Sequence, residues 1–258
     1  MVGRAVRALV PEALKNKLRK LVWMRLNPSW QLSSGVTIRV LNYNDWMIYN
    51  DIFVEGEYDA AINNLLQGSA DWSRPARVLD LGGNVGFFTL RLAHLFLQAD
   101  RGSFTVTMVE GSPSTYGELE ERLVVNKDLL QDRVTAIHGL AGNRSGAGQI
   151  VESASHGENT IIGTSGHGAR VGFVDLAKMT ADWERIDLLK CDIEGAEELF
   201  LSSYPDLLAK TDRAVFEFHH DKCDIERCRQ LLGDAGLHFA KTIREFGHCS
   251  VEFFLRRP

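Results

Sequence analysis

Arg77-Val78-Leu79-Asp80-Leu81-Gly82-Gly83-Asn84-Val85-Gly86-Phe87-Phe88-Thr89 decides the fold of this chain. Residues 78–81 form a short apolar run of the kind a strand buried on both faces shows. Residues 87–97 are dense in apolar side chains and long enough for a helix. Three glycines, Gly82, Gly83 and Gly86, fall between them. A buried strand that turns sharply into a helix at glycines is a nucleotide-binding arrangement, with helix-start amides facing the ligand and Asp80 at the strand's carboxyl end. The same glycines also suit an ordinary tight turn.

The stretch excludes two nucleotide motifs. G-x-G-x-x-G fails because Asn84 and Phe87 occupy the third and sixth places counted from Gly82. The phosphate loop fails because no Lys follows Gly86. What stands is D-x-G-G-N-x-G, which resembles the first motif of class I S-adenosylmethionine-dependent methyltransferases. In that resemblance Asp80 meets the methionine amine and the glycines clear room for the methionine part.

The 258 residues allow one large α/β domain or a domain with a small extension. A net charge of −5 argues against a nucleic-acid binder working through bulk charge. The charge is uneven: residues 1–25 carry seven basic residues against Glu12, which is +6 and leaves −11 on the rest. Cys191, Cys223, Cys228 and Cys249 show no zinc spacing and read as reduced thiols of a cytoplasmic protein. No apolar run approaches the roughly 20 residues of a bilayer span, and charges interrupt any signal-peptide core.

Taken in order, residues 1–34 are expected to form a basic helical N-terminal segment. Leu14, Leu18, Leu21 and Val22 fall on one helix face. Packing on the main domain is the favoured role; peripheral contact with anionic lipid or an acidic partner is the alternative. Residues 35–76 are expected as a hairpin and helix prelude packed on the core, with strands at 36–40 and 46–49 around the turn-rich 42–45, then a helix through Ala60, Ile62, Leu65 and Leu66. A second core strand, 104–109, ends in Glu110, 24 residues past Gly86 and near the ~20-residue offset of a ribose-binding acid. Ser112 and Pro113 start a helix as N-cap and first-turn residue. A third strand at 133–138 precedes a glycine-rich insertion, 139–172, in which 149–151 and 160–162 pair as a hairpin; His156 and His167 there read as solvated.

A second informative stretch is Ile186-Asp187-Leu188-Leu189-Lys190-Cys191-Asp192-Ile193-Glu194-Gly195-Ala196-Glu197. A buried strand ending in Lys, Asp and Glu costs desolvation energy, so its charges pair or meet a ligand. Ligands of open α/β sheets sit beyond the strand carboxyl ends, which puts this cluster beside the glycine turn. Residues 214–219 repeat the theme, with Glu217 and His219 on one face as a base and its orienting carboxylate, or as a structural pair. A helix at 225–232 and strands at 237–243 and 250–255 complete the chain.

With these pieces the chain resembles the FkbM-type family of S-adenosylmethionine-dependent methyltransferases. The carrying residues are Glu55-Gly56-Glu57-Tyr58, residues 78–86, Val109-Glu110 and the K-x-D-x-E-G-x-E run 190–197, the most specific of them. The resemblance covers about residues 35–255. It implies a doubly wound, mostly parallel Rossmann-like sheet with an antiparallel last strand, and an S-adenosylmethionine-binding catalytic domain over 77–258. It implies O-methylation of a hydroxyl on a small molecule, sugar or natural product. Tyr58, Asp80, Gly82, Gly83, Asn84, Gly86, Glu110, Ser112 and Asp192 are the expected cofactor contacts. Asp192 and His219 are the candidate bases, with Lys190, Glu194 and Glu217 orienting the base or the acceptor. A divalent metal held by Asp192, Glu194 and Glu217 is the less favoured use of these acids. Two other readings stand beside this one: an NAD-dependent oxidoreductase on a similar sheet, and a catalytically silent adenosyl-ligand or partner-binding module.

Overall fold

The computed structural model describes residues 23, 25–26, 28–68, 73–100, 103–151, 160–162 and 168–257. Most of the basic segment 1–25, the turn of the insertion hairpin, His156 and His167 lie outside them. Strands are β1 (Ser29–Gln31), β2 (Thr37–Arg39), β3 (Ala76–Leu81), β4 (Phe104–Glu110), β5 (Val134–His138), β6 (Ala147–Val151), β7 (Thr160–Ile162), β8 (Ala169–Gly172), β9 (Leu188–Cys191), β10 (Arg213–His219), β11 (Leu237–Phe246) and β12 (Cys249–Arg256). Helices are α1 (Tyr43–Tyr49), α2 (Asp59–Gly68), α3 (Phe87–Ala99), α4 (Pro113–Val125), α5 (Lys127–Leu130), α6 (Leu176–Met179), α7 (Glu197–Ser203), α8 (Pro205–Ala209) and α9 (Ile225–Asp234).

The central sheet has seven strands in the order β11-β12-β10-β9-β3-β4-β5. β9, β3, β4, β5 and β10 pair in parallel, and β12 runs antiparallel between β10 and β11. Strand alternation divides the core into two layers. Val78, Met108, Leu188 and Val215 face α2, α3 and α4. Leu79, Val109, Leu189 and Phe216 face α7, α8 and α9. Helices on both faces explain why these strands read as continuous apolar runs. β3 has β4 on one side and β9 on the other, so the chain reverses its order of winding there and opens a crevice at the strand carboxyl ends.

Residues 35–54 correct the expected hairpin. β2 pairs with β1 instead, and 43–49 is helical, continued by a π-helical turn at Asn50–Val54. Asn42 caps α1 by accepting from the Asp45 amide. Trp46, Tyr49 and Phe53 stack along one side at helical spacing, with centroids 5.7 and 5.0 Å apart. A run of four apolar residues is compatible with either period, and here the cap decides. Fully buried Asp45 then pairs with buried Arg122 of α4, which also bonds the Arg39 carbonyl. This ion pair ties residues 37–49 to the core. The insertion hairpin forms as expected, and β8 adds an unexpected third strand in the order β7-β6-β8.

Candidate active site

The glycine turn closes against the end of β9. Gly82 has φ +73°, and a Cβ there would sit 1.6 Å from the Asp192 carbonyl oxygen. At Gly86, with φ +87°, a Cβ would meet Leu119 Cδ1 at 2.6 Å. The room cleared at these two positions is therefore taken by the protein's own chain. That corrects the expectation that they are glycine to admit a ligand. Gly82 still presents backbone to the crevice, and Asn84, at φ +47°, carries the turn through the left-handed region that Asn tolerates.

Two cavities meet at this turn. The first lies between β3, β4 and the insertion, with Gly82, Asn84, Glu110, Ser112 and Asp192 in its wall and Leu140 and Ile150 supplying apolar surface. The Asn84 amide donates to Glu110 Oε2 and the Ser112 amide to Oε1, each at 2.8 Å. Burial pushes the Glu110 carboxyl up and these amides pull it back. A carboxylate fixed at both oxygens keeps a second lone pair on each, which suits bidentate capture of a vicinal diol. The Ser112 hydroxyl also caps α4, accepting from the Thr115 amide at 3.2 Å.

Asp80 lies on neither wall. It is fully buried on the α3 face of the sheet, accepting from Thr89 Oγ1 at 3.1 Å, with Lys190 Nζ at 3.5 Å from its other oxygen. Burial pushes its carboxyl up to about 6. The expected contact with a methionine amine is corrected to a support beneath Lys190, because register places Asp80 directly opposite Lys190 on β9. Lys190 Nζ donates to the Gly82 carbonyl at 2.6 Å and lies 3.5 Å from Asp192 Oδ2. Burial opposes its charge, but Asp192 and Asp80 outweigh burial and hold the ammonium above the ordinary lysine pKa. One buried cation thus joins the glycine turn to the end of β9.

The second cavity opens on the far side of Asn84. Tyr58, Lys190, Asp192, Glu217, Arg244 and Ile52 line it. Asn84, Asp192 and Glu194 line both cavities. Tyr58 packs edge-on to Phe88, its ring 6.0 Å from Lys190 Nζ.

His219 is not poised as a base. Its Nδ1 bonds Glu197 Oε1 and its Nε2 bonds Glu194 Oε2, both at 3.1 Å. Burial disfavours its charge, but the two carboxylates override burial and push its pKa up to about 11. The ring is an imidazolium with both N–H groups committed. Its partners are Glu194 and Glu197, not the expected Glu217, because the first turn of α7 brings Glu197 under the ring. Glu194, at φ +57°, is further held by Lys222 at 3.6 Å. Glu217 is pushed up to about 9 by burial and then by Asp192 and Glu57, so it stands as a neutral acid near pH 7.

Glu57, Asp51, Arg244 and Glu197 join this cluster without having been singled out as site residues. Arg244 Nη1 lies 2.8 Å from Asp51 and 3.2 Å from Glu57, and burial pushes Glu57 up to about 7. Glu57 and Glu197 stood inside the quoted motifs; Arg244 carries no sequence signal. Among the described residues two sets have ligand atoms within 4.8 Å of one another, Asp192–Glu194–His219 and Glu217–His219–Cys249. Both need a ring nitrogen of His219, and Glu194 and Glu197 occupy both.

Comparison with known proteins bears on this arrangement. The profile of the FkbM methyltransferase domain matches residues 80–247. The crystal structure of methyltransferase FkbM from Methylobacillus flagellatus KT superposes with a TM-score of 0.52 at 15% identity, covering 83% of this chain and 62% of that one. The chain thus spans less than two thirds of that protein's length, and at this identity the likeness shows the fold. An S-adenosylmethionine-dependent methyltransferase from Agrobacterium tumefaciens aligns over 89% of this chain and 70% of its own at 12% identity, with a TM-score of 0.49 that adds no argument. No curated protein matches. The profile match runs from the glycine turn through the 190–197 cluster to β11, well over half of the residues, and by it this chain belongs to the FkbM family of S-adenosylmethionine-dependent methyltransferases.

Proposed function

We propose that this methyltransferase acts on oxygen, methylating a hydroxyl of a small molecule, sugar or natural product seated in the second cavity. The observation that carries the reading is the place of Asp192: it lines both cavities, and its side chain is 19% exposed. Bound in the first cavity, S-adenosylmethionine supplies an electrophilic methyl group. Glu110 would hold the ribose hydroxyls, and Leu140 and Ile150 offer apolar surface to the adenine. What remains for the protein is to position an acceptor hydroxyl and take its proton.

Asp192 suits that task better than its neighbours. His219 has no free lone pair, Glu217 is protonated, and Glu194 is committed to His219 and Lys222. Lys190 Nζ lies 3.5 Å from Asp192 Oδ2 and donates to the Gly82 carbonyl, which ties Asp192 to the glycine turn. Four unpaired thiols fit work in a reducing cytoplasm. The test is Asp192→Asn, assayed with methyl-labelled S-adenosylmethionine against a panel of polyols, glycosides and phenols. Removing a positioned base is expected to slow transfer by about 10²–10⁴-fold and to leave S-adenosylmethionine affinity within several-fold. Label appearing on nitrogen or carbon only, or an Asn variant as fast as wild type, would refute the assignment.

A further inference from the structure

The second cavity is short of cations. Asp51, Glu57, Asp192, Glu194 and Glu217 line it, against Lys190 and Arg244. Both bases are committed. Lys190 Nζ lies 3.5 Å from Asp80 and from Asp192 and donates to the Gly82 carbonyl. Arg244 Nη1 is shared by Asp51 and Glu57, and its guanidinium covers the Phe246 ring at 4.5 Å. His219 has a ring nitrogen within 4.8 Å of Glu217, but both its N–H groups go to Glu194 and Glu197. Two oxygen acceptors are left over. Among the described residues the Glu217 carboxyl has neither a hydrogen bond nor an ion pair. Tyr58, only 3% exposed, walls the same cavity, and its hydroxyl has no hydrogen-bond partner among them either. Glu57, Asp192 and Glu217 all act on that hydroxyl, so it stands in the same negative field. Buried oxygens left without a donor are costly, and a ligand that brings the donor removes the cost.

We propose that the second cavity seats a primary ammonium group of the acceptor, donating to Glu217 and Tyr58 beside the hydroxyl whose proton Asp192 takes. This rests on the O-methylation reading above and narrows its substrate class to amino alcohols and amino sugars. An ammonium has three N–H donors and no acceptor, which complements two donor-less oxygens among negative charges. A neutral polyol would leave the repulsion among Asp192, Glu57 and Glu217 unrelieved. Phe216 is the register partner of Cys191, so Glu217 and Asp192 follow on neighbouring strands about 4.8 Å apart. That spacing fits an amine one or two carbons from the reacting hydroxyl. Ile52, Phe87 and Phe88 in the same wall offer apolar surface to the carbon skeleton. An amine held as the ammonium has no lone pair, so the methyl group goes to oxygen.

The test is titration calorimetry on the full chain saturated with S-adenosylhomocysteine, which fills the cofactor site together with the cofactor's own amine. The probes are 2-aminoethanol, 3-aminopropanol and glucosamine, each against its N-acetyl counterpart. Wild type should bind the amines at least about tenfold more tightly than the N-acetyl compounds. Near pH 7 each amine should displace about one proton as Glu217 ionises, read by repeating the titration in buffers of different ionisation enthalpy. Glu217→Gln should abolish both the preference and the proton release, and Tyr58→Phe should lower the preference several-fold. S-adenosylhomocysteine affinity of Glu217→Gln should stay within about twofold of wild type. Amines that bind wild type no better than their N-acetyl counterparts, or not at all, overturn the proposal and leave O-methylation standing. A large loss of S-adenosylhomocysteine affinity in Glu217→Gln overturns it too, by giving these oxygens to the cofactor's amine. Failure of the O-methylation reading shows separately, as label on nitrogen or carbon in the transfer assay.

Discussion

Gly82→Ala tests the join between the glycine turn and the charged cluster at the end of β9. The added Cβ would lie 1.6 Å from the Asp192 carbonyl oxygen and 2.8 Å from its carbon, where ordinary contact begins near 3.4 Å. The two segments must part by about 2 Å, an overpacking that costs roughly 1–3 kcal/mol. Holding Ala at φ +73° adds about 1–2 kcal/mol. Together these amount to roughly 2–5 kcal/mol, and for a chain of this size about 2–4 °C in Tm per kcal/mol, so calorimetry should show Tm lower by roughly 5–15 °C. Gly82 and Asp192 both wall the first cavity, so titration should show S-adenosylmethionine weakened by about tenfold, or 1.4 kcal/mol. Gly117→Ala is the internal control. It sits in the exposed middle of α4 with nothing within 4 Å of a new Cβ, and should stabilise by about 0.4–1 kcal/mol. A Gly82→Ala protein with wild-type Tm and affinity would show that the close approach does not exist.

Glu110→Gln keeps the shape of the side chain but removes the charge that two amides hold in place; S-adenosylmethionine should bind weaker by about 1.5–3 kcal/mol, and affinity within twofold of wild type would remove Glu110 from the ribose contact. His219→Gln strips a buried cation from Glu194 and Glu197 and should cost about 3–5 kcal/mol in denaturant unfolding. The acidic limb of its pH–rate profile should stay where wild type has it; loss of that limb would restore His219 as the base. Glu57, Glu217 and His219 all bind their protons more tightly folded than unfolded. The stability they contribute is complete below the unfolded pKa values of 4.5 and 6.5 and is lost as pH rises towards about 7, 9 and 11. Unfolding free energy, and Tm with it, should therefore fall between pH 6 and 9, the free energy by up to about 1.4 kcal/mol per pH unit for each group. Glu217→Gln should flatten that fall, and an identical slope in the variant would refute the Glu217 share.

Much of this protein was legible along the chain. The apolar run before Gly82, the distance from Gly86 to Glu110 and the crowding of charge at 190–197 are local patterns, and strand-turn-helix geometry is local too. Ser112 and Pro113 announced the start of α4 for the same reason, since a cap needs only its own next residues. Residues 46–49 failed because four adjacent apolar residues fit a strand or a helix, and the arbiter was Asn42 with buried Asp45, whose partner Arg122 lies 77 positions on. The roles within the cluster were decided by tertiary contact. Asp80 went under Lys190 through the register of β3 on β9, and His219 lost its lone pairs to Glu194 and Glu197, 25 and 22 residues back. Arg244 reached Glu57 across 187 positions. Sequence spacing encodes which elements form and what sits at their ends. Which charge meets which, and hence which acid is ionised and which base is free, is set by how the folded sheet brings those ends together, where burial and a few ångströms outweigh any side chain's ordinary pKa.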